Sequence, residues 1–148
     1  MIQSQDSLFT QYSSQVKHML KIIIASGPVI VEDNKVLLNK HGEDNFWKFC
    51  GGRVEEAEIN LKDAAKREIK EEMGLEIEIL NNDPYFFYTE KVINNEKVSV
   101  ILVHFLAKRL NEIKSREDIR EWRWIDISEL DRENLAPNIK PVLKHFGF

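Results

Sequence analysis

The sequence predicts an α/β domain built on a mixed β-sheet, and three observations carry that prediction. Segments rich in Ile, Val and aromatic residues stand on both sides of one helical stretch near the middle of the chain. Two pairs of these segments are joined by short Asx turns, Asp33-Asn34 and Asn94-Asn95, which favour antiparallel hairpins. At 148 residues, 43% of them hydrophobic, the chain has room for one domain with a proper core.

Residues 6 to 19 place Leu8, Tyr12, Val16 and then Leu20 four apart among Ser, Gln and Lys, a weak amphipathic helical pattern. Residues 1–19 are therefore expected as a part-helical extension and residues 20–148 as the domain proper. Ile22 to Glu32 reads as a strand, and Lys35 to Asn39 returns as its hairpin partner. A polar loop, His41 to Asn45, leads to an aromatic strand Phe46-Trp47-Lys48-Phe49 that ends at Gly51-Gly52. After an acidic loop comes a helix from about Asn60 to Met73, with Asn60 as N-cap and Gly74 as its stop. Leu75 to Leu80 alternates as a half-buried strand, and Tyr85 to Val92 and Lys97 to Lys108 form a second hairpin. Asn111 to Asp118 is a charged loop and Trp122 to Ile127 a last strand. Ser128 and Asp131 begin one or two C-terminal helices, which Pro137 and Pro141 are expected to interrupt.

Composition narrows the function. With 21 basic and 25 acidic side chains the net charge is −4, which disfavours stable nucleic-acid binding. One cysteine, Cys50, excludes an internal disulfide and a thiolate zinc cluster, and its place in a strand reads as packing. The most apolar stretch, Leu20 to Val31, is too short and too interrupted to span a bilayer. The first residues lack the pattern of a secretory signal, so the expected location is cytoplasmic, with no membrane partner.

The central helix carries the chemistry. At 100° per residue Glu68, Glu71 and Glu72 fall within one arc of about 100°. Lys62, Lys66 and Lys70 define a separate, solvated edge, and neither Glu68 nor Glu72 has a cation at helical spacing. Each like-charge pair costs roughly 0.2–0.5 kcal/mol, and acids at a helix C-terminus oppose its dipole. Hard oxygen donors gathered without a protein cation suit Mg²⁺ or a similar divalent ion. A solvated acidic face is the plain structural alternative.

These residues sit in a recognisable frame. Gly52-Arg-Val-Glu-Glu-Ala-Glu58, followed by Arg67-Glu-Ile-Lys-Glu-Glu-Met-Gly-Leu75, resembles the Nudix box. That pattern is Gly, five residues, Glu, seven residues, then Arg-Glu-U-x-Glu-Glu-x-Gly-U, where U is a bulky aliphatic. Every fixed residue is present, but eight residues separate Glu58 from Arg67. The extra one is expected in the loop near Ile59, which leaves the helical acids in register.

The resemblance implies an α/β/α sandwich and an enzyme that hydrolyses a phosphoanhydride in a nucleoside diphosphate-linked substrate. It implies Mg²⁺ as cofactor, with Mn²⁺ as a substitute, held by Glu68, Glu71, Glu72 and the Gly52 carbonyl. Glu68 and Glu72 are then the catalytic acids, Glu68 being the candidate general base through water, with Arg67 clamping their geometry. A further acid from outside the box is sought at Glu117, Asp118 or Glu121. Lys40 and Arg53, with His41 and Lys48, are candidates to meet phosphate. Phe46, Trp47, Tyr85 and Tyr88 are candidates to stack on a base, although Trp47, Phe86 and Tyr88 read first as core. His18, His104 and His145 receive no role.

The favoured substrate is a nucleoside triphosphate. ADP-ribose, a sugar nucleotide or a dinucleoside polyphosphate are the enzymatic alternatives. Relatives with those activities often carry Pro or Tyr some 15–18 residues past the box, where this chain has Glu90, Lys91, Val92 and Ile93. A nucleotide-sensing module that has lost catalysis is the alternative of another class, and the intact box glutamates speak against it. An isopentenyl-diphosphate isomerase would need a second cysteine. A homodimer is left open.

Overall fold

The computed structural model describes residues 21–116 and 118–148; the expected N-terminal extension and Glu117 lie outside the described residues. Strands β1 (Ile22–Glu32), β2 (Lys35–His41) and β3 (Gly52–Arg53) precede helix α1 (Leu61–Met73). Then come β4 (Ile77–Ile79), β5 (Tyr85–Ile93), β6 (Glu96–Arg109) and β7 (Ile119–Asp126). A 3₁₀ turn (Ile127–Arg132) and a short helix α2 (Ile139–His145) close the chain. The seven-stranded sheet runs β4-β6-β1-β2-β7, with β3 added to β1 and β5 added to β6. β1 and β6 are parallel and the other pairs antiparallel, which makes the sheet mixed, as the sequence predicts.

Local chemistry explains the element ends. Asp33-Asn34 and Asn94-Asn95 all have positive φ, the geometry of tight hairpin turns that Asn and Asp tolerate. The Asn60 side chain accepts from the N–H groups of Lys62 and Asp63 and starts α1; Gly74, at φ 63°, stops it. Ile69 and Met73 of α1 pack with Ile30, Leu37 and Cys50 on one side of the sheet. Ile139, Val142 and Leu143 of α2 pack with Val29, Leu38, Trp47 and Phe49 on the other. The sandwich is therefore α/β/α. Each of these fully buried aliphatic side chains contributes roughly 1.5–3 kcal/mol relative to exposure.

Three expectations need correction. Phe46 to Phe49 is not a strand: Lys48 exchanges backbone bonds with Asn39, whereas Trp47 bonds Asn134 and Ala136, so no continuous ladder forms. Pro141 does not interrupt α2 but sits in its first turn, where the missing N–H has no helical partner to lose. Phe86 and Tyr88 are not core but lie on the exposed side of β5, at 57% and 60% exposure. Among the described residues no helix is long and apolar enough to cross a membrane.

Candidate active site

The site begins with close backbone packing. β3 pairs with β1, Ser26 opposite Gly52, and brings the Cys50–Gly52 segment against Ser26 and Gly27. A Cβ on Gly27 would stand 2.0 Å from the Cys50 carbonyl oxygen, so only glycine permits this approach. Gly51, at φ 146°, turns its N–H toward Glu72 Oε2, 3.3 Å away. A Cβ on Gly52 would fall 2.4 Å from Glu68 Oε2. The glycine pair thus lies directly beside two of the acids that α1 projects.

Those acids are not equivalent. Glu72 is only 9% exposed. Burial pushes its carboxyl up to about 8, the Gly51 N–H opposing and the charge of Glu68 adding to the rise. Burial likewise raises Glu68, against the pull of Arg67. Glu71 is exposed. The unpaired picture drawn from helical spacing needs correction, because the Arg67 guanidinium stands 2.9 Å from Glu68 Oε1 and donates to Glu71 Oε2 at 3.1 Å. Sequence neighbours pair here because the Arg67 head turns along the helix surface. It also forks onto Glu58, Nε to Oε2 at 2.9 Å and Nη2 to Oε1 at 2.7 Å, and donates to the Arg53 carbonyl. That fork holds Glu58 below its ordinary value and raises Arg67 further. Glu58 is therefore the clamp on Arg67, and the extra loop residue leaves this pairing intact, with Ile59 fully exposed and the helix starting on time.

As the side chains stand, no group of three or more His, Cys, Asp or Glu is assembled to hold a metal ion among the described residues. Arg67 draws Glu58, Glu68 and Glu71 to itself, while Glu72 is turned to Gly51. The donor chemistry nonetheless fits a divalent cation: hard oxygens, one of them a nearly buried carboxylate with no protein cation bonded to it.

A cavity of about 440 Å³ opens from this point across the sheet face opposite α1. Its floor uses alternate residues of adjacent strands, Ile23 beside Val100 and Ala25 beside Leu102. Cys50 to Arg53 form the wall nearest the acids, with Phe46, Lys48 and Phe49 alongside. Beside this wall the lining is polar. His104 stands opposite Gly27 on β1, with its ring centroid 5.1 Å from that of Phe49. Its Nε2 lies 3.0 Å from Asn138 Nδ2, and both side chains are buried. Burial lowers His104 to about 4, so the ring is neutral at pH 7. If Nε2 accepts from Asn138, the ring proton sits on Nδ1, which has no partner among the described residues. Asn138 stands at the N-cap position of α2, yet its side chain makes no capping bond there.

Of the candidate substrate contacts, Phe46 and Arg53 line the cavity, and so does Lys48. Lys40 and Tyr88 are not brought to it. Lys40 lies over the Trp47 ring, 4.6 Å from its centroid, and 3.9 Å from Glu121. Tyr88 is on the α1 side of the sheet, its hydroxyl near Ser99 and Glu90. Trp47 is core, with Nε1 bonded to Glu133. Glu121 is paired with Arg123 on β7, and Asp118 is exposed next to Gly42. The loop carrying Asp118 does reach α1, since the Arg116 N–H bonds the Glu72 carbonyl. Sequence reasoning missed His104 and Asn138. The alternation Leu102-Val103-His104-Phe105 marks His104 as a buried strand position, but only strand register brings Asn138 to it.

The model of the NUDIX domain matches residues 23–146. A nucleoside triphosphatase NudI of Escherichia coli O139:H28 is 25% identical over 132 residues, covering 81% of this chain and 93% of the relative. Among solved structures, the Escherichia coli ORF135 protein superposes with a TM-score of 0.67 at 23% identity, covering 87% of this chain and 91% of that one. A MutT NUDIX hydrolase from Burkholderia pseudomallei gives 0.68 at 22% identity, with 84% and 97% covered. The chain belongs to the NUDIX family, whose members are hydrolases acting on pyrophosphate bonds of small nucleotide substrates.

Proposed function

We propose that this enzyme hydrolyses a nucleoside triphosphate to the monophosphate and pyrophosphate, using Mg²⁺, with Mn²⁺ as a substitute. The observation that carries the reading is one cavity that begins at the glycine wall beside Glu68 and Glu72, has a buried polar pair next to that wall, and continues over an apolar floor. Its glycine wall touches Glu68 and Glu72, and His104 and Asn138 border the cavity beside Phe49 at the same end. A polyphosphate suits the end beside the acids, and a nucleobase suits the apolar floor with the rings of Phe46 and Phe49. That a relative is named a nucleoside triphosphatase supports the choice of substrate.

In this mechanism Glu68, Glu71, Glu72 and the Gly52 carbonyl would hold the divalent ion. When bound, it neutralises charge developing on the phosphoryl oxygens and acidifies water. Glu68, desolvated and therefore raised, is suited to take a proton from the attacking water. Arg67 keeps Glu58, Glu68 and Glu71 from splaying apart. The Gly51 N–H orients Glu72. Phe46 and Phe49 offer ring faces to the base, and Lys48 and Arg53 offer positive charge to the phosphates.

Incubation with a panel of nucleotides and Mg²⁺, with products read by chromatography, tests this proposal. A nucleoside triphosphate should yield monophosphate and pyrophosphate in equal amounts. Orthophosphate as the first product, or turnover confined to ADP-ribose, sugar nucleotides or dinucleoside polyphosphates, contradicts it.

A further inference from the structure

Helix α1 covers only half of its sheet face. Three rows of side chains cross that face from β5 through β6 to β1: Phe86, Val103 and Ser26; Tyr88, Ile101 and Ile24; Glu90, Ser99 and Ile22. In the first row α1 covers Ser26, which bonds the Leu61 carbonyl, and Val103, which packs on Ala65, but leaves Phe86 exposed. Leu61 is the first residue of α1, so the helix adds no cover on that side of it. Ile22, Ile24, Phe86 and Tyr88 are left 54%, 40%, 57% and 60% exposed. A contiguous apolar sheet face of this kind normally has a partner.

We propose that the partner is the N-terminal segment of the same chain, residues 8–20, docked as an amphipathic helix that continues the α1 layer over β1 and β5. The segment enters the domain at this patch: Lys21 accepts from the Ser99 N–H, pairs with Glu96, and is followed by Ile22. Its apolar stripe, Leu8, Tyr12 and Val16, is spaced four apart, and Ser14 falls on the opposite side of the wheel. The lengths agree. Thirteen helical residues span about 20 Å at 1.5 Å each, and the β5 run from Phe86 to Val92 also covers about 20 Å at 3.4 Å each. Burying Ile, Phe and Tyr against Leu, Tyr and Val supplies the driving force, and the Ser, Gln and Lys residues of the segment remain in water.

Cysteine pairing in the full chain tests the proposal, because the native Cys50 is buried and its thiol is held protonated by burial. Leu8→Cys, Tyr12→Cys and Val16→Cys are each combined with Phe86→Cys and oxidised at micromolar concentration. At least one stripe position should form an intramolecular disulfide ten or more times faster than Ser14→Cys with Phe86→Cys. None should form with Lys144→Cys, which is exposed on α2. Equal rates at stripe and Ser14 positions, or no disulfide at all, overturn the docking. Disulfides only between chains assign the patch to a second copy instead and equally overturn it. A companion variant, Leu8→Ser with Tyr12→Ser and Val16→Ser, should at least double the binding of a hydrophobic dye at unchanged far-ultraviolet dichroism of the sheet. Unchanged dye binding counts against docking.

Discussion

Replacing Glu72 by Gln should lower kcat by at least about a hundredfold, the scale seen when one preorganised electrostatic group is removed from a transition state. The variant keeps size and an acceptor oxygen for the Gly51 N–H, so the local geometry persists. What it loses is the charge that a bound cation needs. The fold should survive, because the burial around Glu72 disfavours its ionised form. The linkage has a definite sign. A carboxyl with its folded value near 8, above the ordinary 4.5, favours folding of the metal-free chain at low pH, and that contribution is lost as pH rises through 8. Glu72→Gln should therefore flatten the decline in stability between about pH 4.5 and about pH 8 while removing activity. Glu68→Gln should lose activity comparably. If both variants retained more than about a tenth of the wild-type rate under conditions that saturate Mg²⁺, these acids would not be the catalytic set.

Two glycine substitutions should separate architecture from chemistry. Gly27→Ala drives a methyl group into the Cys50 carbonyl, and both partners are backbone. Overpacking of this kind costs about 1–3 kcal/mol and here belongs at the upper end or beyond. At roughly 2–4 °C per kcal/mol for a chain of this size, melting should fall by about 6–12 °C. Gly52→Ala instead meets the far end of the Glu68 side chain, which can move. Its fold should hold within about 1 kcal/mol, and kcat should drop at least tenfold as Glu68 is displaced. Thermal melts and steady-state rates on the two purified variants check the contrast. Equal losses of stability would mean that the Gly52–Glu68 contact is structural and not part of the site.

Much of this architecture is legible in the sequence because it depends on local rules. Asn60 and Gly74 bound α1 through short-range hydrogen bonds and a positive φ. The two Asx pairs fix hairpins for the same reason, and Glu68, Glu71 and Glu72 share a side of α1 through helical geometry alone. The partners of Arg67 are less legible: an i to i+4 contact with Glu71 is readable, but the fork onto Glu58 depends on how a loop folds back over the helix. The His104–Asn138 pair joins residues 34 apart through the β5–β6–β1 register and the position of α2. Phe86 and Tyr88 alternate like core residues, and nothing local records that α1 leaves them uncovered. Pattern reports which face is apolar, and tertiary structure decides what covers it.

The central claim is that the acids of α1 form a divalent-cation site, and thermal melting against Mg²⁺ tests it without a substrate. With an illustrative Kd of about 1 mM, roughly 5 mM Mg²⁺ adds RT ln 6, about 1 kcal/mol. That corresponds to a rise of roughly 2–4 °C in Tm. The response should strengthen as pH rises through 8, since binding must release the proton that burial keeps on Glu72. The triple variant Glu68→Gln, Glu71→Gln and Glu72→Gln should stay folded, losing two partners of Arg67 but relieving the desolvated Glu72 carboxylate, and should ignore Mg²⁺. A wild-type curve unmoved up to about ten times that Kd, or a triple variant that still responds, contradicts the assignment.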